Sequence, residues 1–235
     1  MLKATIRTHE NIDIGTFPAV SAYLKSKSSG YNPVKAEVFT EAGIKTFIDT
    51  TEDSTWLDVK VICIFGICVS LRTDEFPRIT MNDIEKHSDL FLVAIGKTKT
   101  KIARSFTING GFARIVHKYM DLRPERLQSQ DRFFTNYQKG KCTLQFIGKN
   151  KFASMPRKVA EFLKLPKPER YIGHSFRRTS ATFLANSGAD METIMRHGGW
   201  HNESCAKGYI EDSLSYKART GEMIRSSVGL SFCHQ

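Results

Sequence analysis

The densest apolar run of the chain extends from Val59 to Leu71, where only Lys60, Gly66 and Ser70 interrupt the hydrophobic side chains. A helical segment that is apolar nearly all round belongs in the middle of a core. The pattern predicts a helix capped at Ser54 or Thr55 and running to about Leu71, so that Arg72 emerges at the end of a core-anchored element. Upstream, Thr40 fits the N-cap of a helix over Glu41 to Ile48. Downstream, Leu90 to Ile95 and Ile102 to Ile108 are β-rich runs, and the turn-compatible Gly96 to Lys101 joins them as a hairpin. Arg114 to Met120 reads as a helix with Pro124 near its end, and Phe133 to Ile147 is ambiguous between a short strand and a loop. Phe152 to Leu165 is amphipathic, with Val159, Phe162 and Leu163 directed inward. Ser175 to Ser187 forms the next helix, closed by Gly188 in the left-handed cap position. Asp190 caps a further one that Gly198-Gly199 stops, and Asn202 caps a last one carrying Tyr209. At the other end, Phe17 to Leu24 reads as a short helix followed by a linker, Lys25 to Gly30. The fold class is α+β: mainly helical, with a small antiparallel sheet.

Charge narrows the range of partners. The 235 residues carry 35 Lys and Arg against 24 Asp and Glu, a formal net charge of +11. Such an excess favours a polyanion, because basic side chains gain affinity by releasing counterions from nucleic acid. The Val59–Leu71 run is too short to span a bilayer, and the N-terminus has no apolar signal core. Five cysteines at irregular spacing argue for a reducing compartment rather than a disulfide framework. Neither Cys-x-x-Cys nor His-Glu-x-x-His occurs, so no metal site and no cofactor is expected.

The candidate chemistry lies near the C-terminus. His174-Ser175-Phe176-Arg177 is followed 23 residues after Arg177 by Trp200, and 9 residues later by Tyr209. Each residue type suits one task in breaking a phosphodiester without a metal. Tyrosine is a nucleophile, arginine grips phosphate oxygens bidentately, histidine moves a proton near neutral pH, and the indole N–H donates one bond. Upstream, Arg72 offers a second guanidinium, so two arginines can clamp both non-bridging oxygens. Lys97 and Lys99 stand in the hairpin turn Gly96-Lys97-Thr98-Lys99-Thr100. Arg178 competes with Arg177 but falls on a different face of its helix. Tyr216 is a second tyrosine, 16 residues past Trp200. His197 and His201 read as structural or DNA-facing.

Taken in order, Arg72, the hairpin lysine, His174-x-x-Arg177, Trp200 and Tyr209 resemble the catalytic domain of tyrosine recombinases, the integrase family. His197-Gly198-Gly199-Trp200 and Tyr209-Ile210-Glu211-Asp212-Ser213 look like crypton-type recombinases, transposon-derived enzymes of eukaryotic genomes. The likeness covers roughly residues 20 to 215. It implies a recombinase that cleaves and rejoins double-stranded DNA through a 3′-phosphotyrosyl bond on Tyr209. It favours Lys99, with Lys97 close behind, as the acid for the leaving oxygen, His174 as the base, and Glu75 as the carboxylate that supports the basic residues. It implies a homo-oligomer, a tetramer, on DNA, no small-molecule cofactor, no membrane, and a nuclear location. The domains expected are a residual N-terminal arm and linker over 1–35, where only the tail of the family's DNA-clamping domain is matched, a catalytic domain over 36–215, and a C-terminal tail over 216–235. Two other readings share parts of this pattern: a domesticated DNA-binding protein without recombination activity, and a type IB topoisomerase. A metal-dependent nuclease would need an acidic cluster, and the sequence has none.

Overall fold

The computed structural model describes residues 2–30, 35–96 and 103–228. The chain divides into two compact units, Met1–Lys35 and Ala36–Gln235. The first contains α1 (Leu2–Glu10) and α2 (Pro18–Ser28), with Pro18 at the first helical position, where a missing N–H costs nothing. The helix over Leu2–Glu10 was not visible in the sequence pattern, and α2 extends through the stretch expected to be linker.

The second unit is built around α4 (Asp53–Cys68), preceded by α3 (Glu41–Thr50), whose N-cap Thr40 accepts from Gly43 N–H as its sequence suggests. Every residue of α4 from Leu57 to Gly66 is buried. Lys60 is tolerated there because its ammonium donates to Thr51 O at 2.6 Å and to Asp53 at 2.8 Å. The helix starts at Asp53, ahead of the expected caps, and stops at Cys68, before Leu71. Two residues after that end, Ser70 adopts a left-handed φ of 53°.

A three-stranded antiparallel sheet follows, with β1 (Ile84–Lys86), β2 (Leu90–Ile95) and β3 (Arg104–Asn109) in sequence order. Register runs from Leu90 opposite Asn109 to Ile95 opposite Arg104, so the two expected runs do pair. β3 passes directly into α5 (Gly110–Asp121). The ambiguous stretch is a second hairpin, β4 (Thr135–Gln138) and β5 (Lys141–Phe146). Its two-residue turn, Lys139-Gly140, has positive φ at both positions, as the twist of a tight hairpin demands. Four helices follow: α6 (Lys149–Phe162) and α7 (Ser175–Asn186) pack against α4, and α8 (Met191–Gly198) and α9 (Glu203–Asp212) pack on α7 and on each other. A tenth helix among the described residues, α10 (Leu214–Ser227), occupies what the sequence suggested was a tail.

Aromatic packing fills the centre. Phe65, Phe133, Phe134, Phe76 and Phe152 form a chain of contacts with centroids 4.9–5.5 Å apart. α7 lies close to α4 because position 66 is glycine: a Cβ there would be 2.5 Å from Cβ of Phe176. That approach brings Arg177, next to Phe176, to the end of α4 where Ser70 and Arg72 stand. Among the described residues no helix is long and apolar enough to cross a membrane.

Candidate active site

The end of α4 sets the first part of the site. Left-handed Ser70 is fully buried, its hydroxyl has no partner, and its carbonyl accepts a hydrogen bond from Arg177 Nη1. A non-glycine residue in this conformation is strained unless its surroundings fix it; here the strain turns a carbonyl toward a buried guanidinium. Two residues on, Arg72 is half-buried and pairs with Glu75. Glu75 Oε2 accepts from Arg72 N–H at 2.7 Å, and Oε1 accepts from Nη1 at 2.8 Å.

Glu75 is only 3% exposed and serves a second cation. Arg104, the first residue of β3, donates from Nη2 to both carboxylate oxygens at 3.0 and 3.1 Å. Arg104 was not singled out from the sequence. The signal was present in the strand's alternation, since Arg104 shares a face with Phe106 and buried Ile108 and so places a charge inward.

The three guanidiniums of Arg72, Arg104 and Arg177 converge on one turn. α8 ends in a left-handed Gly199 (φ 57°), with Gly199 N–H donating to Arg196 O and Trp200 N–H to Met195 O. This is the Schellman closure. It turns out three consecutive carbonyls, and each takes a different arginine. Arg104 Nη1 donates to His197 O at 3.2 Å, Arg177 Nη2 to Gly198 O, and Arg72 Nη2 to Gly199 O at 3.3 Å. Gly199 is needed for space as well as for its φ: a Cβ would stand 3.0 Å from Cδ and Nη1 of Arg104.

Trp200 follows this turn directly. Its ring centroid lies 5.1 Å from the Arg177 guanidinium, and the ring stacks nearly parallel on Tyr209, with centroids 5.5 Å apart at 13°. Tyr209 projects from α9, which Asn202 caps by accepting from Ser204 N–H. It is half-buried, and burial pushes its phenol up from the ordinary tyrosine value, while the guanidiniums of Arg178 and Arg177 act against that. Burial, reinforced by Arg72 and Arg104, lowers the Arg177 guanidinium to about 9, so it remains a cation at neutral pH.

Of the candidates named from sequence, the structure thus brings Arg72, Arg177, Trp200 and Tyr209 together. His174 stands exposed immediately before α7, one turn from Arg177 and Arg178. Lys99 and Lys97 lie outside the described residues, between β2 and β3. Tyr216 is exposed on α10, away from the Trp200 stack. His197 is structural: Nε2 is 2.6 Å from Ser180 Oγ, and the ring meets Phe106 edge-on. Burial, then Arg177 and Arg104, pushes His197 down to about 4, so it is neutral near pH 7. Arg178, expected on another face, does diverge from Arg177, and its guanidinium stands 5.7 Å from the Tyr209 ring. Among the described residues no group of three or more His, Cys, Asp or Glu side chains is placed to hold a metal ion.

Comparison with known proteins places the fold. The model of the phage integrase family matches residues 37–215. The recombinase Cre of Escherichia phage P1 is 24% identical over 184 residues, covering 72% of this chain and 53% of Cre, so the chain spans about half the length of that relative. Among solved structures, the XerH site-specific recombinase bound to palindromic difH substrate superposes with a TM-score of 0.61 at 17% identity, over 81% of this chain and 53% of that one. XerA recombinase gives 0.62 at 15% identity, over 86% and 66%. The catalytic domain of bacteriophage HP1 integrase gives 0.51 at 15%, covering 84% of this chain and all of that one.

Proposed function

The chain belongs to the phage integrase family, and we propose that it cuts and rejoins double-stranded DNA through a covalent bond to Tyr209, without a metal ion. The observation that carries this reading is the connection of three groups. Arg72 and Arg177 hold consecutive carbonyls of the turn that leads into Trp200, and Trp200 stacks on the tyrosine. In the proposed step the Tyr209 oxygen attacks phosphorus, the new O–P bond forms, and the P–O5′ bond breaks. The phenolic proton passes to His174, and the leaving 5′-oxygen takes a proton from Lys99. Arg72 and Arg177 hold the non-bridging oxygens, where negative charge accumulates; one preorganised donor of this kind is worth about 3 kcal/mol. Rejoining runs the same steps backward with a second DNA end.

The net charge of +11 supports DNA as the partner. The proposal extends to a homotetramer on DNA. It extends as well to an enzyme of a transposable element in a nuclear genome, for which the crypton-like flanks of Trp200 and Tyr209 are the support.

The test is covalent capture on a nicked suicide substrate with EDTA present. The expected result is a protein–DNA adduct that Tyr209→Phe abolishes while DNA binding stays within about twofold. An adduct retained by Tyr209→Phe, or lost only with Tyr216→Phe, would reject the assignment. DNA binding with no adduct at all would favour the non-catalytic DNA-binding reading.

A further inference from the structure

The four arginines around the candidate site are not all compensated. Arg72 and Arg104 share the carboxylate of Glu75, and Arg177 is held by two carbonyls. Arg178 has none of these. No carboxylate among the described residues pairs with it, and its buried Nε has no hydrogen-bond partner. Its guanidinium instead stands over the ring of Tyr209, 5.7 Å from the centroid. A half-buried cation without a counter-ion is costly, and a neutral aromatic face returns only part of that cost. The arrangement is completed when negative charge appears beside it.

Adjacent positions on α7 explain the geometry. Successive residues of a helix point about 100° apart, so Arg177 reaches Trp200 and Arg178 reaches the tyrosine stacked on Trp200. The charged or titratable groups acting on the phenol are Arg178 and Arg177 from α7 and Cys205 from its own helix. The neighbours that α8 contributes to this cluster are apolar: Ile194, Met191 and Met195.

Resting on the strand-exchange reading above, we propose that Arg178 is a positioning residue for the nucleophile: its guanidinium holds Tyr209 against Trp200 and stabilises the phenolate that attacks phosphorus. In this role Arg178 belongs to the tyrosine and not to the phosphate. It therefore differs from the proposed clamp arginines, Arg177 and Arg72.

The experiment follows Tyr209 ionisation and adduct formation in the full chain. Protein labelled with 3-fluorotyrosine, whose phenol titrates lower, is followed by fluorine NMR without DNA, and Tyr209→Phe identifies the Tyr209 resonance. Arg178→Met should raise the Tyr209 midpoint by about one pH unit, a tenfold change at the low end of the range for an opposite charge within about 6 Å. Arg178→Lys, which restores charge without the planar fork, should recover more than half of the shift. On the nicked substrate, the pH profile of adduct formation should move alkaline by the same amount. An unmoved Tyr209 midpoint in Arg178→Met overturns the proposal. This holds even if adduct formation falls, since Arg178 would then be a phosphate contact. Arg178→Gln carries the same expectation if the Met variant does not fold. A wild-type chain that forms no adduct would refute strand exchange itself, whereas the DNA-free titration judges Arg178 separately.

Discussion

Removing the carboxylate of Glu75 should be among the most damaging single changes to the stability of the fold. Glu75 is 3% exposed and Arg104 is 6% exposed. The carboxylate accepts from the Arg72 backbone, from Arg72 Nη1 and, through both oxygens, from Arg104. In Glu75→Ala, Arg104 keeps only the carbonyl of His197 and faces Arg72 and Arg177 without a counter-charge. Leaving a buried ion unpaired costs about 3–5 kcal/mol. For a unit of this size each kcal/mol moves the melting temperature by about 2–4 °C, so a fall of roughly 6–20 °C is expected. The assay is thermal unfolding by circular dichroism, with Arg104→Met and the double variant alongside. Because the double variant removes both charges of the pair, its loss should be smaller than the sum of the singles by about 1–3 kcal/mol. A Glu75→Ala melt within about 2 °C of wild type, or strict additivity, would refute the reasoning.

Arg177→Lys should lower the rate of adduct formation by about 3 kcal/mol, on the order of 100-fold, because an ammonium cannot reproduce the guanidinium fork; single-turnover cleavage within threefold of wild type would contradict this. Lys99→Ala should be slow on ordinary DNA and largely rescued by a substrate with a 5′-bridging sulfur, whose leaving group needs no proton. Rescue of Lys97→Ala instead would transfer the role to Lys97. His197 makes stability depend on pH. Its folded value, about 4, lies below the ordinary 6.5, so as pH falls the unfolded chain takes up the proton first. Stability should decline from about pH 6.5 and level off near pH 4, by about 3 kcal/mol in all. Urea titrations should show this decline in wild type and not in His197→Gln.

The central helix, the hairpin strands β2 and β3, and the helices carrying Arg177 and Tyr209 were legible because each buries a strongly patterned face or is closed by a side-chain cap. Thr40, Asp190 and Asn202 all cap the helices their sequence suggested. The exact end of α4 was not legible. The apolar run continues through Val69 and Leu71, and the turn at Ser70 coincides with a contact distant in sequence, the hydrogen bond that Arg177 donates to the Ser70 carbonyl. Phe133 to Ile147 was ambiguous because its pairing depends on the Lys139-Gly140 turn, and lysine is an unusual residue at positive φ. Within the site, residues joined by short spacing were readable, whereas partnerships across the fold were not. Arg104 reaches Glu75 from 29 positions away. The divergence of Arg177 and Arg178 was readable from helix geometry; what each would meet was not.

The grip of three arginines on one turn bears on how a phosphate could enter. Each guanidinium has five N–H donors. Arg177 commits one donor from each Nη to Ser70 O and Gly198 O, which leaves further N–H groups for an anion. In the proposed function a phosphate would therefore not need to displace the turn in order to bind. The carbonyls hold the guanidiniums in place; in the proposed strand exchange, less reorganisation would then remain for the moment of reaction. The turn they hold is the N-terminal anchor of Trp200, and Trp200 stacks on Tyr209, the proposed nucleophile. A shift of α9 away from Arg177 would have to break that stack or drag the turn from its three arginines. The placement of Tyr209 relative to Arg72 and Arg177 is thus tied to the backbone of His197-Gly198-Gly199. Gly199 is the residue on which both requirements meet, since its φ of 57° closes α8 and its missing Cβ makes room for Arg104.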